Sequence, residues 1–161
     1  MEEKLPPALD AVDRRLLDSL QRDASATNQA LAGQLGISPA TCLRRVKRLE
    51  DTGVVERYVA LLSPARLGPE LSALVEITLD RQGAEHLAAF EARAVADEGV
   101  RQCWRVSPGP DFALVVQARD MAGYNALVQR LFTQDANVRN VKAYFVVGRA
   151  KFDTSTLLPP A

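Results

Sequence analysis

The chain has 161 residues, of which 47% are hydrophobic and 25% charged, a globular composition that excludes a disordered polymer and allows one ordinary domain or two small ones. Its 20 Lys+Arg balance 20 Asp+Glu for a formal net charge of +0. Nine basic and nine acidic residues precede Ser63 and eleven of each follow it, so no global basic field exists and any affinity for nucleic acid depends on where the charges sit.

Cys42 and Cys103 lie far apart, form no CxxC or Cys/His cluster, and share the chain with one histidine, His86, so no zinc spacing is present. Both cysteines sit in apolar patterns, which points to buried free thiols, although the sequence alone leaves a disulfide open. The opening MEEKLPPALD has no apolar run of the signal-peptide kind, and no stretch of about 18 consecutive apolar residues occurs anywhere. The expectation is a cytoplasmic protein without a membrane span.

In chain order, LDAVDRRLLDSLQRD puts Leu9, Val12, Leu16, Leu17 and Leu20 on one helical face, with Asp10 as N-cap and Asp13 three residues on in a capping-box variant. Thr27 caps a second helix, NQALAGQLG, with Leu31, Ala32 and Leu35 on a shared face and Gly36 as its left-handed stop. Ser38 and Pro39 then open a third helix, ATCLRRVKRLED, which stops at Gly53. An extended stretch, VVERYVALLSP, leads to a boundary bracketed by Pro64, Gly68 and Pro69.

Beyond the boundary the pattern becomes strand, helix, strand, strand, helix, strand. LSALVEITL, VRQCWRVS, DFALVVQA and VRNVKAYFVVGRAKF read as strands, and AEHLAAFEARAVAD and MAGYNALVQRLFTQ as helices. The predicted class is α+β: a helix-turn-helix domain over residues 1–62, a linker over 63–70, and a ferredoxin-like βαββαβ domain over 71–161 whose four-stranded antiparallel sheet carries helices on one face. In the last strand both alternating sets, Ala143, Phe145 and Val147 against Tyr144, Val146 and Gly148, are largely apolar. Helices cover only one face of such a sheet, so an apolar second face implies burial against another subunit. Trp104, Tyr124, Phe132, Tyr144 and Phe145 are expected in core or interface packing, and His86 at an exposed helix start.

The third helix carries the chemistry. Cys42, Val46 and Leu49 make its buried face, while Arg44, Arg45, Lys47 and Arg48 place four positive charges within five residues. A helix fits the DNA major groove with its N-terminal residues at the base edges, so Ala40, Thr41 and Arg44 are the expected base readers. Arg45, Lys47 and Arg48 are the expected phosphate contacts, joined by the Ser38 and Thr41 hydroxyls and the free N–H groups of the turn that Pro39 begins. From charge alone, a solvated basic face in a small bundle explains the pattern equally well. The preceding helix, the short turn and the Ser-Pro start together favour DNA.

LDAVDRRLLDSLQRDA followed by LAGQLGISPATCLRRVKRLEDTGVVERYVALLSPARLG closely resembles the N-terminal half of the Lrp/AsnC family, the leucine-responsive regulators, with the LAxxLGxS, RVxRLExxGV and YxAxLxPxxLG elements in order. VEITL, CWRVS, DMAGY and KFDTSTLLP extend the likeness over nearly the whole chain. The resemblance implies a winged helix-turn-helix from Asn28 to Lys47, which adds Asn28 to the DNA-contacting set. It further implies homodimers through the ferredoxin-like domain, assembly to tetramers or octamers, and an amino acid or related metabolite bound between dimers. It implies no enzyme activity, cofactor or metal.

Many members of the family carry a Gly-Asp pair and a further Asp in the hairpin that lines the effector pocket. Here the hairpin is Ser107-Pro108-Gly109-Pro110-Asp111: Asp111 matches the second acid and Gly109 stands where the first is usual. Glycine offers an effector only backbone, and the two prolines remove two N–H donors. The segment reads either as a pocket wall or as a rigid turn. Two further functions share the frame: a siroheme-decarboxylase-like enzyme, disfavoured by the single histidine, and an effector-independent nucleoid-organising protein.

Overall fold

The computed structural model describes residues 8–68 and 70–159. Pro69 of the expected boundary and residues 1–7 of the MEEKLPPALD stretch lie outside the described residues. The chain divides into two compact units, one of residues 1–61 with 151–161 and the other of residues 62–150.

The first unit holds three helices, α1 (Ala11–Arg22), α2 (Asn28–Leu35) and α3 (Pro39–Asp51). Each start is built as its sequence dictates. Asp10 caps α1 in a reciprocal box with Asp13, Thr27 accepts the Ala30 N–H at 3.2 Å, and Ser38 accepts the Thr41 N–H at 3.2 Å with Pro39 in the first turn. Gly36 ends α2 at φ 68°, a left-handed turn that any side chain would strain. Leu16, Leu17, Leu20, Leu31, Ala32, Leu35, Cys42 and Leu49 form the core of the unit.

Residues 151–159 complete this unit. Gln21 Nε2 donates to the Thr156 carbonyl at 3.2 Å, the Thr156 N–H donates back to Gln21 Oε1, and Leu158 packs on the helical core. The expected second domain of residues 71–161 is therefore shorter in the structure, because a two-way amide bond and a leucine seat its last segment on α1. After α3, residues 54–63 join no sheet, and a four-residue helix, α4 (Pro64–Leu67), occupies the expected linker.

The second unit runs β1 (Leu71–Leu79), α5 (Ala84–Ala96), β2 (Val100–Arg105), β3 (Phe112–Ala118), α6 (Met121–Val128) and β4 (Val138–Phe145). The sheet order is β2-β3-β1-β4 with every pairing antiparallel, the ferredoxin-like arrangement. The last strand stops at Phe145, short of the predicted run to Phe152. A π-helical turn, Gln129–Thr133, extends α6 and seats Leu131 and Phe132 in the core.

Alternation decides the faces. Ala73, Val75, Ile77 and Leu79 of β1 and Phe112, Leu114 and Val116 of β3 are all buried beneath Phe90, Ala94, Tyr124 and Leu127 of the helices. The Phe90 and Phe112 rings meet at 4.8 Å between centroids, and Tyr124 meets Phe145 edge-on at 5.0 Å. On the opposite face Leu74, Trp104, Tyr144 and Val146 stay exposed in the single chain, Trp104 by 59%. His86, expected at the surface, is half-buried, and both cysteines are free thiols, Cys42 buried and Cys103 half-buried.

The capping box of α1 is also an electrostatic lock. Asp13 is 0% exposed. Its Oδ1 accepts Arg45 Nη1 at 2.7 Å, and its Oδ2 accepts Arg48 Nη2 as well as the Asp10 N–H at 3.1 Å. Arg45 Nη1 also reaches Asp10 Oδ2 at 2.7 Å. Burial pushes the Asp13 carboxyl up, but the hydrogen bonds from Arg45, Arg48 and the Asp10 N–H outweigh it and leave the carboxyl below its ordinary value. The Asp13 N–H, then Arg45, hold the Asp10 carboxyl down at about 2.

Two outcomes are expected. Phe112→Ala removes the ring at the centre of the sheet core and costs about 3–5 kcal/mol in urea denaturation. Between the folded and unfolded pKa values of Asp10 and Asp13 the unfolded chain binds more protons, so stability rises with pH there. The helical unit keeps this stabilisation above the ordinary carboxylate value of 3.8 and loses it as pH falls toward about 2. Circular-dichroism melts at stepped acid pH read the slope, and Asp13→Asn flattens it.

Candidate nucleic-acid interface

α3 presents two different basic faces. Arg44 and Lys47 are exposed and point away from the core, and Leu43 beside them is 59% exposed. Ala40 is exposed one turn before Arg44, and Thr41 is half-buried. Ser38 donates its hydroxyl to Thr41 Oγ1 at 2.9 Å while accepting the Thr41 N–H, which leaves the Thr41 proton to turn outward. Behind them Pro39 has no N–H and that of Thr41 is capped by Ser38, which leaves the Ala40 N–H and the positive end of the helix dipole to face an anion. Ser38, Pro39, Ala40, Thr41, Arg44 and Lys47 thus share one accessible end and face of α3.

Arg45 departs from expectation. Its side chain is only 24% exposed, its Nη1 lies between Asp10 and Asp13, and its Nε is buried without a partner. The acids raise its already high pKa, so it stays charged and stays in place. The expected phosphate contact gives way to a brace between α1 and α3. Arg48 stands between the two roles: one nitrogen pairs with Asp13, yet the side chain is 46% exposed.

Asn28 also turns inward. Its Nδ2 donates to the Pro39 carbonyl at 2.9 Å, tying the start of α2 to the start of α3 across the turn, and its Oδ1 is buried without a partner. The amide sets the angle between the two helices. Arg15 makes a similar tie, from Nη2 to the Gln34 carbonyl at 3.2 Å.

Sequence reasoning found Asp13 as a cap and missed it as the anchor of α3. A signal was there: Asp10 and Asp13 have the same three-residue spacing as Arg45 and Arg48, which puts two acids on one helix face and two bases on another at matching intervals.

In the second unit the hairpin 106–111 turns at Gly109, φ 123°, after a cis Ser107-Pro108 bond. A side chain on Gly109 would meet nothing within 4 Å. One oxygen of the Asp111 carboxylate is already engaged: Oδ2 accepts the Leu79 N–H at 2.7 Å and Gln82 Nε2 at 3.2 Å, and the residue's own N–H donates to the Ile77 carbonyl at 2.8 Å. Asp111 therefore ties the hairpin to the end of β1; Gly109 brings no side chain, the two prolines bring rings without N–H donors, and Ser107 brings a hydroxyl. A separate groove of about 450 Å³ runs between the π turn and β4, lined by Phe132, Asp135, Arg139 and Asn140 among others and not by the hairpin.

Comparison with known proteins agrees with both units. A family model described as winged helix-turn-helix DNA-binding matches residues 9–56, and one described as Lrp/AsnC ligand binding domain matches residues 72–156. The chain is similar to the leucine-responsive regulatory protein of Haemophilus influenzae, 38% identical over 151 residues that span 94% of this chain and 91% of that protein. Among solved structures it is similar to an AsnC family transcriptional regulator from Agrobacterium tumefaciens, with TM-score 0.85, 30% identity, and 92% of this chain and 97% of that one covered. It is equally similar to a transcriptional regulator from Neisseria meningitidis in complex with L-Met, with TM-score 0.85, 30% identity, and coverage of 93% and 97%. Helical unit, sheet unit and their order along the chain all match, and the chain belongs to the Lrp/AsnC family of DNA-binding transcriptional regulators.

Proposed function

We propose that this protein is a sequence-specific regulator that binds double-stranded DNA as a homodimer in the cytoplasm, and that an amino acid or related small metabolite shifts its assembly or its DNA affinity. The observation that carries the reading is the accessible end of α3, where the Ala40 N–H, two hydroxyls and the exposed Arg44 and Lys47 converge. Ala40, Thr41 and Arg44 read base edges; Ser38, Lys47 and the outer donors of Arg48 hold phosphates. A two-fold dimer requires two half-sites about one helical turn, or a multiple of it, apart.

Dimerisation uses the open face of the sheet. Leu74, Tyr144 and Trp104 lie there in adjacent cross-strand rows, with Glu76 and Lys142 opposite each other at the centre. Larger assemblies, tetramers or octamers, build on that dimer. The relatives named above are regulators, which favours this reading over a siroheme-decarboxylase-like enzyme.

The hairpin favours a second reading of the effector response. Asp111 commits one carboxylate oxygen, Oδ2, to Leu79 and Gln82, and Gly109 supplies no side chain, so the loop offers an ammonium group at most the second oxygen of one acid. An effector-independent, nucleoid-organising role fits such a loop, whereas a metabolite sensor must recognise its ligand through the remaining Asp111 oxygen, hairpin backbone and neighbouring groups. Titrating L-methionine and L-leucine while recording oligomer mass and DNA affinity separates the two.

A duplex selected by the protein from a random pool supplies the main test. Arg44→Ala is expected to weaken binding to it by about tenfold, and Lys47→Ala to lower the salt slope by about one. A wild-type protein that enriches no sequence and binds without salt dependence defeats the reading. Trp104→Glu, which puts a charge on the open face, is expected to convert the dimer to a monomer in sedimentation; an unchanged mass refutes that interface.

A further inference from the structure

We propose that Asp13 is a positioning residue for DNA recognition: from inside the helical unit it aims Arg48 and cancels the charge of Arg45, so that α3 meets DNA in one register with a limited non-specific pull. The proposal rests on the DNA-binding reading above and adds how the unit discriminates between sequences.

Asp13 is the one buried charged residue among the described residues. An apolar side chain at a helix–helix contact stabilises as well as a buried ion cluster or better, so stability alone gives little reason for an acid there. What the acid adds is direction. Leucines can slide over one another, whereas a carboxylate that accepts Arg45 on one oxygen and Arg48 and the Asp10 N–H on the other fixes both the rotation and the axial position of α3 against α1.

Arg48 is the output of this arrangement. A guanidinium has five N–H donors in a rigid fork. The contact to Asp13 uses one nitrogen, and the side chain remains 46% exposed one turn beyond Arg44. Held from behind by Asp13, the fork offers its remaining donors to a phosphate with little orientational freedom left to lose. Lysine in its place keeps the charge but cannot span a carboxylate and a phosphate in the same geometry.

The second effect is on charge. Of the four cations on α3, Arg45 and Arg48 are balanced by Asp10 and Asp13, and Arg44 and Lys47 carry the uncompensated charge. Non-specific binding scales with the phosphates a protein can neutralise. Removing the Asp13 charge therefore frees Arg48 and leaves Arg45 to Asp10 alone, which adds positive charge toward any duplex while loosening the aim required at a chosen one.

The experiment measures fluorescence-anisotropy affinities of the full chain for a wild-type-selected duplex and for the unselected pool, over a salt series, with circular dichroism recording the folded fraction. For Asp13→Asn the expected result is weaker binding to the selected duplex, no loss on the pool, and a ratio of the two that falls about tenfold, because the register that the aimed phosphate contact fixes matters only where the base readers must meet their bases. The pool salt slope steepens by about one. A variant that is merely destabilised loses both affinities in parallel, and that result, or an unchanged ratio, overturns the proposal. If Asp13→Asn does not fold, Arg48→Lys decides: a lower ratio with unchanged pool binding supports the proposal, and wild-type behaviour overturns it. Wild-type protein that selects no duplex overturns the DNA-binding reading itself, which distinguishes that failure from this one.

Discussion

The carboxylate of Asp13 and the two guanidiniums it holds set the geometry on which the helical unit depends. Three helices of 12, 8 and 13 residues share a small core, and none is long enough to be stable alone. Leucine packing among Leu16, Leu31, Leu35 and Leu49 supplies the cohesion. The ion cluster decides which arrangement of α1 and α3 is the right one. A charged cluster placed there for fit rather than strength explains why Arg45 and Arg48, part of a run that reads as a DNA-facing patch, are spent in whole or in part on their own fold.

The sheet unit follows a different constraint. β1 lies between β3 and β4 and alternates strictly, with Ala73, Val75, Ile77 and Leu79 inward, so its register sends a full set of apolar residues under α5 and α6. The same register leaves Leu74 and Tyr144 together on the uncovered face, and Glu76 opposite Lys142. A sheet with helices on one side only cannot bury both sets by itself, and the proposed homodimer is what would cover the second.

Much of this was legible locally. Asp10, Thr27 and Ser38 as caps, Gly36 as a stop and the period-two strands all follow from interactions spanning a few residues, which is why the order of elements and the ferredoxin-like class could be read without coordinates. What escaped depends on contacts distant in sequence. Whether Arg45 faces solvent or an acid 32 residues earlier cannot be seen in its own helix, and the same holds for Asn28 reaching the Pro39 carbonyl. The strand predicted to run to Phe152 ends at Phe145, opposite Ala73; β1 begins at Leu71, so residues 148–152 of the apolar run have no β1 residue to pair with. Asp111 matched a family acid by position, and only its bonds to Leu79 and Gln82 show one of its two oxygens already in use.

The return of residues 151–159 to α1 makes the helical unit discontinuous in the chain, with the whole sheet unit inserted between its two parts. Synthesis runs from the N-terminus, so the three helices leave the ribosome long before the segment that Gln21 and the helical core receive. The unit proposed to grip DNA is thus completed only after the sheet unit has been synthesised. A nascent or cleaved chain lacking that segment leaves the Gln21 amide without Thr156 and the core without Leu158.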